Sequence, residues 1–221
     1  MRVWLVAAIV SALVAGASAQ SAPTAEELAV ALQARYAAVR DFSADFVHKY
    51  RGGVLRKEAT ERGTVLIKKP ARMRWTYESP EKKVFVSDGV RFYSYIPEDR
   101  QVIVSPVLED SDAPTPMLFL AGRGSLTRDF VVSLAVAADA ASTTYSLKCT
   151  PRRREAEYQS MILVVDRKTL EIRSLITTDE QGGESTFLFS RVKQNVGLAD
   201  KLFVFEIPKG VDVVHQSAGL R

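Results

Sequence analysis

Hydrophobic and polar residues alternate along most of the chain, and this alternation predicts a protein built mainly of short strands. From Asp41 the period is two, which places Phe42, Phe46 and Tyr50 on one face of a strand. Met73, Trp75 and Tyr77 alternate in the same way with polar neighbours, within a segment that follows residues 60–68. Further segments of this kind occur at residues 82–87, 91–96, 101–104, 130–136, 143–149, 160–165, 170–178 and 184–192. About eleven short strands separated by polar turns are typical of an antiparallel sheet rolled into a barrel or half-barrel.

The first amphipathic segment has a helical period instead. Thr24 and Glu27 have the spacing of a capping box, which predicts the start of a helix. Apolar residues at positions 28, 32, 36 and 39 then fall on one stripe, so we expect an amphipathic helix over Ala25 to Arg40. Two turns between strands are also marked, by Asp88-Gly89 and by residues 181–183, because glycine adopts a positive φ at no steric cost.

One apolar segment interrupts the series of strands. Thr115 and Pro116 provide an N-cap and a proline at the first helical position, and residues 117–121 continue with almost no polar side chain. Residues 126–129 predict a further helical turn. A short helix without a polar face must be covered, either by the sheet or by a ligand.

The N-terminus predicts an exported protein. Arg2 precedes an apolar run over residues 3–14, and Ala17-Ser18-Ala19 has the small-x-small pattern of a cleavage site. Residues 1–19 are therefore interpreted as a secretory signal peptide, and residues 20–221 as a single domain in the periplasm of a Gram-negative bacterium. The alternative is a membrane anchor, but the run is shorter than the ~20 residues that a bilayer span needs.

Composition argues against several classes of function. The net charge of +4 is too small and too interspersed for nucleic-acid binding, and one Cys with two His cannot build a structural zinc site. Neither a nucleotide-binding glycine motif nor a nucleophile elbow is present, so we expect no catalytic residue, no metal and no cofactor. His48 and His215 are interpreted as packing or surface residues, and Arg152–Arg154 as a solvated turn.

Several motifs, in order along the chain, carry a resemblance to a known family. They are KKPARMRWTYESP (68–80), VSDG (86–89), FYSYIP (92–97), TPMLFL (115–120) and FVFEIPKGV (203–211). Together with the signal peptide, this set resembles the LolA family of periplasmic carriers of outer-membrane lipoproteins, and it covers nearly the whole mature chain.

The resemblance implies a mainly β fold with helices: an unclosed, half-open antiparallel β-barrel of about eleven strands, capped by a helical lid. It also implies acylated lipoproteins as cargo, received from an ATP-driven LolCDE-like inner-membrane complex and passed to a LolB-like outer-membrane acceptor. The protein would act as a monomeric chaperone that shields acyl chains without catalysis. Lipid tails need such an escort, since each methylene exposed to water costs about 0.8 kcal/mol.

The resemblance also suggests which residues act. Met73, Trp75, Tyr77 and Phe92 are the candidates for the lining of the lipid cavity, although a filled core would give the same stripe. Met117, Leu118, Phe119 and Leu120 are the candidates for the lid. Members of the family commonly carry Arg before the motif proline, where it holds the lid shut; here that position is Lys69, and either Lys69 or one of Arg72 and Arg74 would serve as the latch.

Two other functions fit the same residues. The first is a periplasmic module of the same fold that binds or senses another lipid or amphiphile. The second is a secreted hydrolase that uses a pair of Asp or Glu side chains. Fold alone does not separate a carrier from a sensor.

Overall fold

The strands of the protein form one continuous sheet. The computed structural model describes residues 23–53, 57–107, 120, 124–135, 142–154 and 158–216. Its elements are helix α1 (Ala25–Ala37), strands β1 (Asp41–Arg51), β2 (Glu58–Lys68), β3 (Arg72–Ser79), β4 (Lys83–Asp88), β5 (Arg91–Ile96) and β6 (Gln101–Pro106), helix α2 (Leu126–Asp129), strands β7 (Phe130–Leu134), β8 (Thr144–Pro151), β9 (Ser160–Asp166), β10 (Ile172–Thr178) and β11 (Glu184–Gln194), a 3-10 helix (Asp200–Phe203) and strand β12 (Asp212–His215).

The sheet has twelve strands and stays open. Their order is β12-β6-β5-β4-β3-β2-β1-β11-β10-β9-β8-β7, so β12 and β7 are its edges in the part of the chain that the structure describes. The predicted fold class, an unclosed antiparallel sheet with helices, is confirmed. The hydrophobic pattern did not predict β12, because its four residues are all exposed and show no alternation of buried and exposed positions. This strand also runs parallel to β6, unlike the antiparallel pairs in the rest of the sheet.

Helix α1 begins where the capping box predicts. The Thr24 side chain accepts a hydrogen bond from the Glu27 backbone N–H, and the Glu27 carboxylate accepts one from the Thr24 backbone N–H. The helix ends at Ala37, three residues before the predicted end at Arg40, because the chain must become extended to enter β1 at Asp41. Its apolar stripe, which includes Leu28, Leu32 and Tyr36, is buried against the sheet.

The other predicted helical segments have different outcomes. Helix α2 occupies residues 126–129 as predicted, and the Ser125 side chain caps it by accepting from the Arg128 backbone N–H. Of the predicted lid residues, Met117, Leu118 and Phe119 lie outside the described residues, whereas Leu120 is buried in the main core. None of the helices within the described ranges has the length and apolarity to cross a bilayer.

The main core lies on the concave face of the sheet. It combines the apolar stripe of α1 with inward-facing side chains from both halves of the sheet, and also includes Leu126 and Phe130. Cys149, the single cysteine of the chain, is fully buried in this core. Burial raises the pKa of its thiol to about 12, because the thiolate would lose its hydration.

A smaller apolar cluster lies on the convex face under residues 198–205, which we call the C-terminal strap. Val86, Val102 and Phe203 are almost completely buried there. Basic side chains of the sheet hold the strap: Arg74 donates to the carbonyl oxygens of Leu202 at 2.6 Å and Val204 at 2.8 Å. Arg72 faces the same side of the sheet, and its Nη1 atom lies 3.9 Å from a carboxylate oxygen of Asp200 in the strap.

A missing side chain at Gly63 makes room for the aromatic side chains of the concave face. Gly63 pairs with Phe46 on one side and with Tyr77 on the other. A Cβ atom built at Gly63 would lie 2.9 Å from Cζ of Phe46 and would overlap the carbonyl oxygen of Thr76. The ring of Phe46 therefore occupies the space that a side chain at position 63 would take.

Gly63→Ala is expected to destabilise the protein by about 1–3 kcal/mol, because the added methyl group overpacks the sheet and displaces Phe46. Urea unfolding measures the effect. Gly52→Ala is the matched control, since its Cβ would have no neighbour nearer than 3.5 Å, and its effect should stay within about 0.5 kcal/mol. Equal stabilities of the two variants would contradict the packing role of Gly63.

Candidate functional site

Aromatic rings form a continuous layer on the concave face, and we call this layer the aromatic floor. It consists of Phe46, Trp75, Tyr77, Phe85, Phe92, Phe187 and Phe189, linked through ring-centroid distances between 4.8 and 6.3 Å. Strand β3 places Met73, Trp75 and Tyr77 on this face because they share one parity. Phe92 joins them through Phe85, whose ring stacks on it at 6.3 Å.

The four predicted lining residues thus lie on one face, but they differ in exposure. Met73, Trp75 and Tyr77 are buried, whereas Phe92 in β5 is half-buried opposite Ser105 of β6. Sequence reasoning did not select Phe85, Phe187 and Phe189 as site residues. Strand parity alone could have found them, since Phe187 and Phe189 alternate with polar or exposed residues in β11. Which strands face each other, however, is fixed only by register.

Helix α1 covers the end of the concave face that contains Phe42. The backbone N–H of Ile172 donates to Oη of Tyr36 at 3.0 Å, and burial raises the pKa of this tyrosine to about 12. Arg35 donates to Gln194 of β11 at 2.9 Å, and Gln33 accepts from the backbone N–H of Leu126 at 2.8 Å. These few hydrogen bonds, together with the apolar stripe, hold the helix on the sheet.

Lys69 adds another tie to α1. Its Nζ donates to the carbonyl oxygen of Tyr36 in the last turn of the helix, which also accepts from the backbone N–H of Val39 at 3.2 Å. Burial lowers the pKa of Lys69, since its charge is partly removed from water. The structure therefore places the predicted latch residue between the β2–β3 turn and α1.

The space between α1 and the sheet is closed in this conformation. Its apolar cavity, which Tyr36, Phe42, Leu120 and Phe189 help to line, holds about 10 Å³, roughly the room that one water molecule needs. An acyl chain does not fit there. For a ligand to reach the aromatic floor, the cover over the concave face must move away from it.

A row of polar side chains continues the floor at the end away from α1. We call His48, Glu61, Lys83 and Ser185 the polar row. Glu61 bridges two of them: its Oε2 lies 3.0 Å from Nδ1 of His48, and its Oε1 accepts from Lys83 at 2.6 Å. Nε2 of His48 lies 3.3 Å from Oγ of Ser185, and the imidazole stacks on Phe187 with centroids 4.1 Å apart.

Burial and charge shift the pKa values in the polar row. Burial lowers the pKa of His48, and its hydrogen bond to Glu61 offsets this effect only in part. Burial alone would raise the pKa of Glu61, but hydrogen bonds from Lys83 and His48 outweigh it and the pKa lies below its usual value. The hydrogen bond to Glu61 raises the pKa of Lys83. At neutral pH the row thus contains a neutral imidazole beside a carboxylate and an ammonium group.

Ser185, His48 and Glu61 contact one another in the order of a catalytic triad, but the backbone around Ser185 differs from that of a catalytic serine. Ser185 pairs with Tyr50 on one side and with Thr177 on the other, so its backbone belongs to the sheet ladder. Acyl transfer needs free backbone donors for an oxyanion, and a strand paired on both sides does not offer them. Across the described residues, no three His, Cys, Asp or Glu side chains are grouped to hold a metal ion.

An open sheet whose aromatic concave face lies under a helical cover is the architecture of a protein that binds an apolar ligand. The family model described as outer membrane lipoprotein carrier protein LolA matches residues 37–206. This match spans more than half of the chain, and the chain therefore belongs to the LolA family, as its motifs suggest.

Similar proteins agree with this assignment. The chain is 31% identical over 193 residues to the outer-membrane lipoprotein carrier protein of Chromohalobacter salexigens, with 87% of each sequence covered. It is 30% identical over 161 residues to the protein of the same name from Nitrosomonas europaea, covering 73% of this chain and 74% of the relative. Among solved structures, an uncharacterized conserved protein from Thermus thermophilus has the same fold (TM-score 0.54, 13% identity, 85% of this chain and 99% of that one).

The polar row predicts a loss of stability on mild acidification. Because the pKa of folded His48 lies below its usual value of 6.5, the unfolded chain binds the proton more readily. Stability should therefore fall as the pH drops below about 6.5 toward the pKa of the folded state, and Glu61 should add its own loss only below about 4.5. In His48→Gln the loss between pH 7 and 5.5 should become smaller.

Urea midpoints of the wild type and the variant across this pH range measure the effect. The control is His215→Gln, which removes the only other histidine of the chain, an exposed residue of β12. This variant should keep the pH dependence of the wild type. An unchanged pH slope in His48→Gln would show that protonation of His48 does not limit stability.

Proposed function

We propose that this protein is a periplasmic chaperone that shields the acyl chains of lipoproteins and carries them from the inner membrane to the outer membrane. The observation that carries the proposal is the aromatic floor beneath a cover held by few hydrogen bonds, in a chain of the LolA family. Relatives at about 30% identity are named as outer-membrane lipoprotein carrier proteins. The role is binding and transfer, without catalysis.

The chemistry of the floor suits lipid tails. Aromatic and Met side chains offer apolar contact without demanding hydrogen bonds, and Met73 adds a flexible, polarisable group. Each methylene that leaves water contributes about 0.8 kcal/mol, so a multiply acylated anchor offsets both the hydrogen bonds and the apolar contacts that α1 loses on opening. Cargo entry therefore drives the opening of the cover.

The closed conformation also sets the affinity. The free energy needed to open the empty protein is subtracted from the free energy of cargo binding, which keeps the complex weak enough to release its cargo. We infer that the uphill step, extraction from the membrane, is supplied by an ATP-driven LolCDE-like complex. Release then follows a gradient of affinity toward a LolB-like acceptor in the outer membrane.

In this proposal the N-terminal segment directs the protein to the periplasm. Residues 1–19 act as a cleaved signal peptide and direct residues 20–221, a single domain, to the periplasm. Sequencing the N-terminus of the protein purified from its native host tests this step: a start at Gln20 supports cleavage, and a retained Met1 contradicts it.

Phe92→Asp is expected to reduce cargo binding at least tenfold, because it places a charge on the half-buried edge of the aromatic floor. The protein is purified from its native host, and bound material is identified by mass spectrometry. The matched control is Val90→Asp, two residues away in the exposed β4–β5 turn, which should bind cargo like the wild type. Both variants must first show wild-type unfolding midpoints.

The identity of the bound material decides the function. Acylated lipoproteins in the wild type and the control, with a loss in Phe92→Asp, support the carrier. A free lipid or glycolipid in their place would support a lipid-sensing module instead. Outer-membrane lipoproteins that still reach their destination after depletion of this protein in the host would contradict the carrier.

Lys69→Met is expected to loosen the cover and to tighten cargo binding. The variant loses the hydrogen bond from Nζ to the carbonyl oxygen of Tyr36, so the empty protein should melt about 2–4 °C lower. Because less free energy is then spent on opening, the affinity for a triacylated lipopeptide should rise several-fold and its release should slow.

Lys69→Arg provides the comparison, since a guanidinium group retains donors for the same carbonyl group. Thermal melts and lipopeptide titrations of the three proteins are the measurements. A weaker affinity in Lys69→Met at unchanged melting temperature would show that Lys69 contacts cargo and does not latch the cover.

A further inference from the structure

The indole N–H of Trp75 has no hydrogen-bond acceptor within reach among the described residues. The side chain is 1% exposed, so bulk water does not reach it. Its neighbours on the aromatic floor are Phe46 at 5.1 Å, Phe187 at 5.3 Å and Phe189 at 6.3 Å between ring centroids, and none of these side chains carries an oxygen or nitrogen atom.

A buried donor without an acceptor costs free energy, and proteins rarely retain one without a use. A phenylalanine at position 75 would fill similar space in the floor without this cost. The hydroxyl group of Tyr36, by contrast, accepts from the backbone N–H of Ile172. Among the described residues, Nε of Arg35 and Oγ of Ser174 are the other buried side-chain atoms without a partner, and neither lies on the aromatic floor. The unpaired N–H of Trp75 therefore indicates that its acceptor arrives with the ligand.

The position of Trp75 on the floor indicates what that acceptor is. On the side toward α1, the neighbouring inward-facing residues include the apolar Ile67 and Met73. Ser87 also faces inward there, but its hydroxyl group already donates to the carbonyl oxygen of Ala71 at 2.7 Å. On the other side, Phe187 separates Trp75 from the polar row, since His48 stacks on Phe187 at 4.1 Å. Trp75 therefore lies close to the boundary between the apolar part of the concave face and its polar row, with only the ring of Phe187 in between.

An acylated ligand changes from apolar to polar in the same order along its length. Its hydrocarbon tails end in ester carbonyl groups, and a polar headgroup follows. With the tails beneath α1 and the headgroup at the polar row, the ester carbonyl group falls at the level of Trp75. An ester carbonyl oxygen is an acceptor, and an indole N–H is only a donor.

We propose that the indole N–H of Trp75 donates a hydrogen bond to an acyl-ester carbonyl group of the cargo and so fixes the depth at which its lipid anchor binds. This inference rests on the proposed carrier function. It assigns the concave face a direction, with tails toward α1 and headgroup toward His48, and it predicts a preference for ester-linked over ether-linked lipids.

The test compares two synthetic lipopeptides with equal chain lengths, one with ester-linked and one with ether-linked chains on its glycerol. Wild-type protein should bind the ester probe about tenfold more tightly, the size expected for one buried hydrogen bond. Trp75→Phe retains an aromatic ring but removes the donor, so it should bind both probes with the affinity that the wild type has for the ether probe. Tyr95→Phe, which removes a hydroxyl group on the convex face beside Phe205, is the control and should bind both probes like the wild type.

Each outcome is decisive. An equal loss for both probes in Trp75→Phe would show that the indole acts through packing alone, and equal binding of both probes by the wild type would also overturn the hydrogen bond. If the wild type binds neither probe, the proposed carrier function fails, and with it the role of Trp75. A preference for the ester that persists in Trp75→Phe would assign the acceptor contact to another residue.

A spectroscopic measurement keeps the test independent of any folding defect in the variant. The chain has two tryptophans, Trp4 and Trp75, so at most two indole N–H resonances are expected in an NMR spectrum of the ¹⁵N-labelled wild type. The resonance absent from Trp75→Phe belongs to Trp75. It should move downfield on addition of the ester probe and not on addition of the ether probe; identical shifts with both would contradict the proposal.

Discussion

The need to keep one apolar sheet face out of water governs this structure. All strands in the described part of the chain belong to a single sheet, so its concave face has no second sheet to pack against. A buried aromatic or aliphatic side chain contributes about 1.5–3 kcal/mol relative to an exposed one, and the concave face carries many of them. Helix α1, helix α2 and Leu120 supply the cover, while neighbouring strands supply the rest of the contact.

The two faces of the sheet are covered in different ways. On the convex face, Lys68 and Arg74 hold the C-terminal strap through charged donors on backbone carbonyl groups, and Lys68 also pairs with Asp200 at 2.6 Å. On the concave face, α1 rests mainly on apolar contacts, together with the buried hydrogen bond between Tyr36 and Ile172 and the hydrogen bonds of Lys69 and Arg35. Apolar contacts are not directional, so a lipid tail can replace those that α1 makes with the sheet. In the carrier function that we propose, the concave cover is the one that opens.

Most of the fold is predictable from the sequence because each strand shows its own alternation. The shared parity of Met73, Trp75 and Tyr77 is enough to place them on one face, and the capping box of Thr24 and Glu27 locates the start of α1. Strand β12 was missed since all four of its residues are exposed, and parallel pairing leaves no local turn signal. The end of α1 was placed too late because its apolar period continues to Val39, past the point where the chain turns into β1.

The site was less predictable because it depends on register. His48, Glu61, Lys83 and Ser185 come from four strands, Ser185 lies 137 positions after His48, and no sequence motif indicates that they form one row. The unpaired indole N–H of Trp75 is likewise visible only when its neighbours are known to be apolar. The partner of Lys69 also required the structure, since a lysine beside a proline does not specify which carbonyl group it reaches.

The buried thiol of Cys149 has a consequence for quality control. With a pKa of about 12, almost none of this cysteine is thiolate in the folded protein, and only the thiolate attacks a disulfide. In an unfolded chain the same thiol is accessible and ionises more readily. In the oxidising compartment that we propose for this protein, cross-linking would thus mark the chains that have not folded and spare those that have.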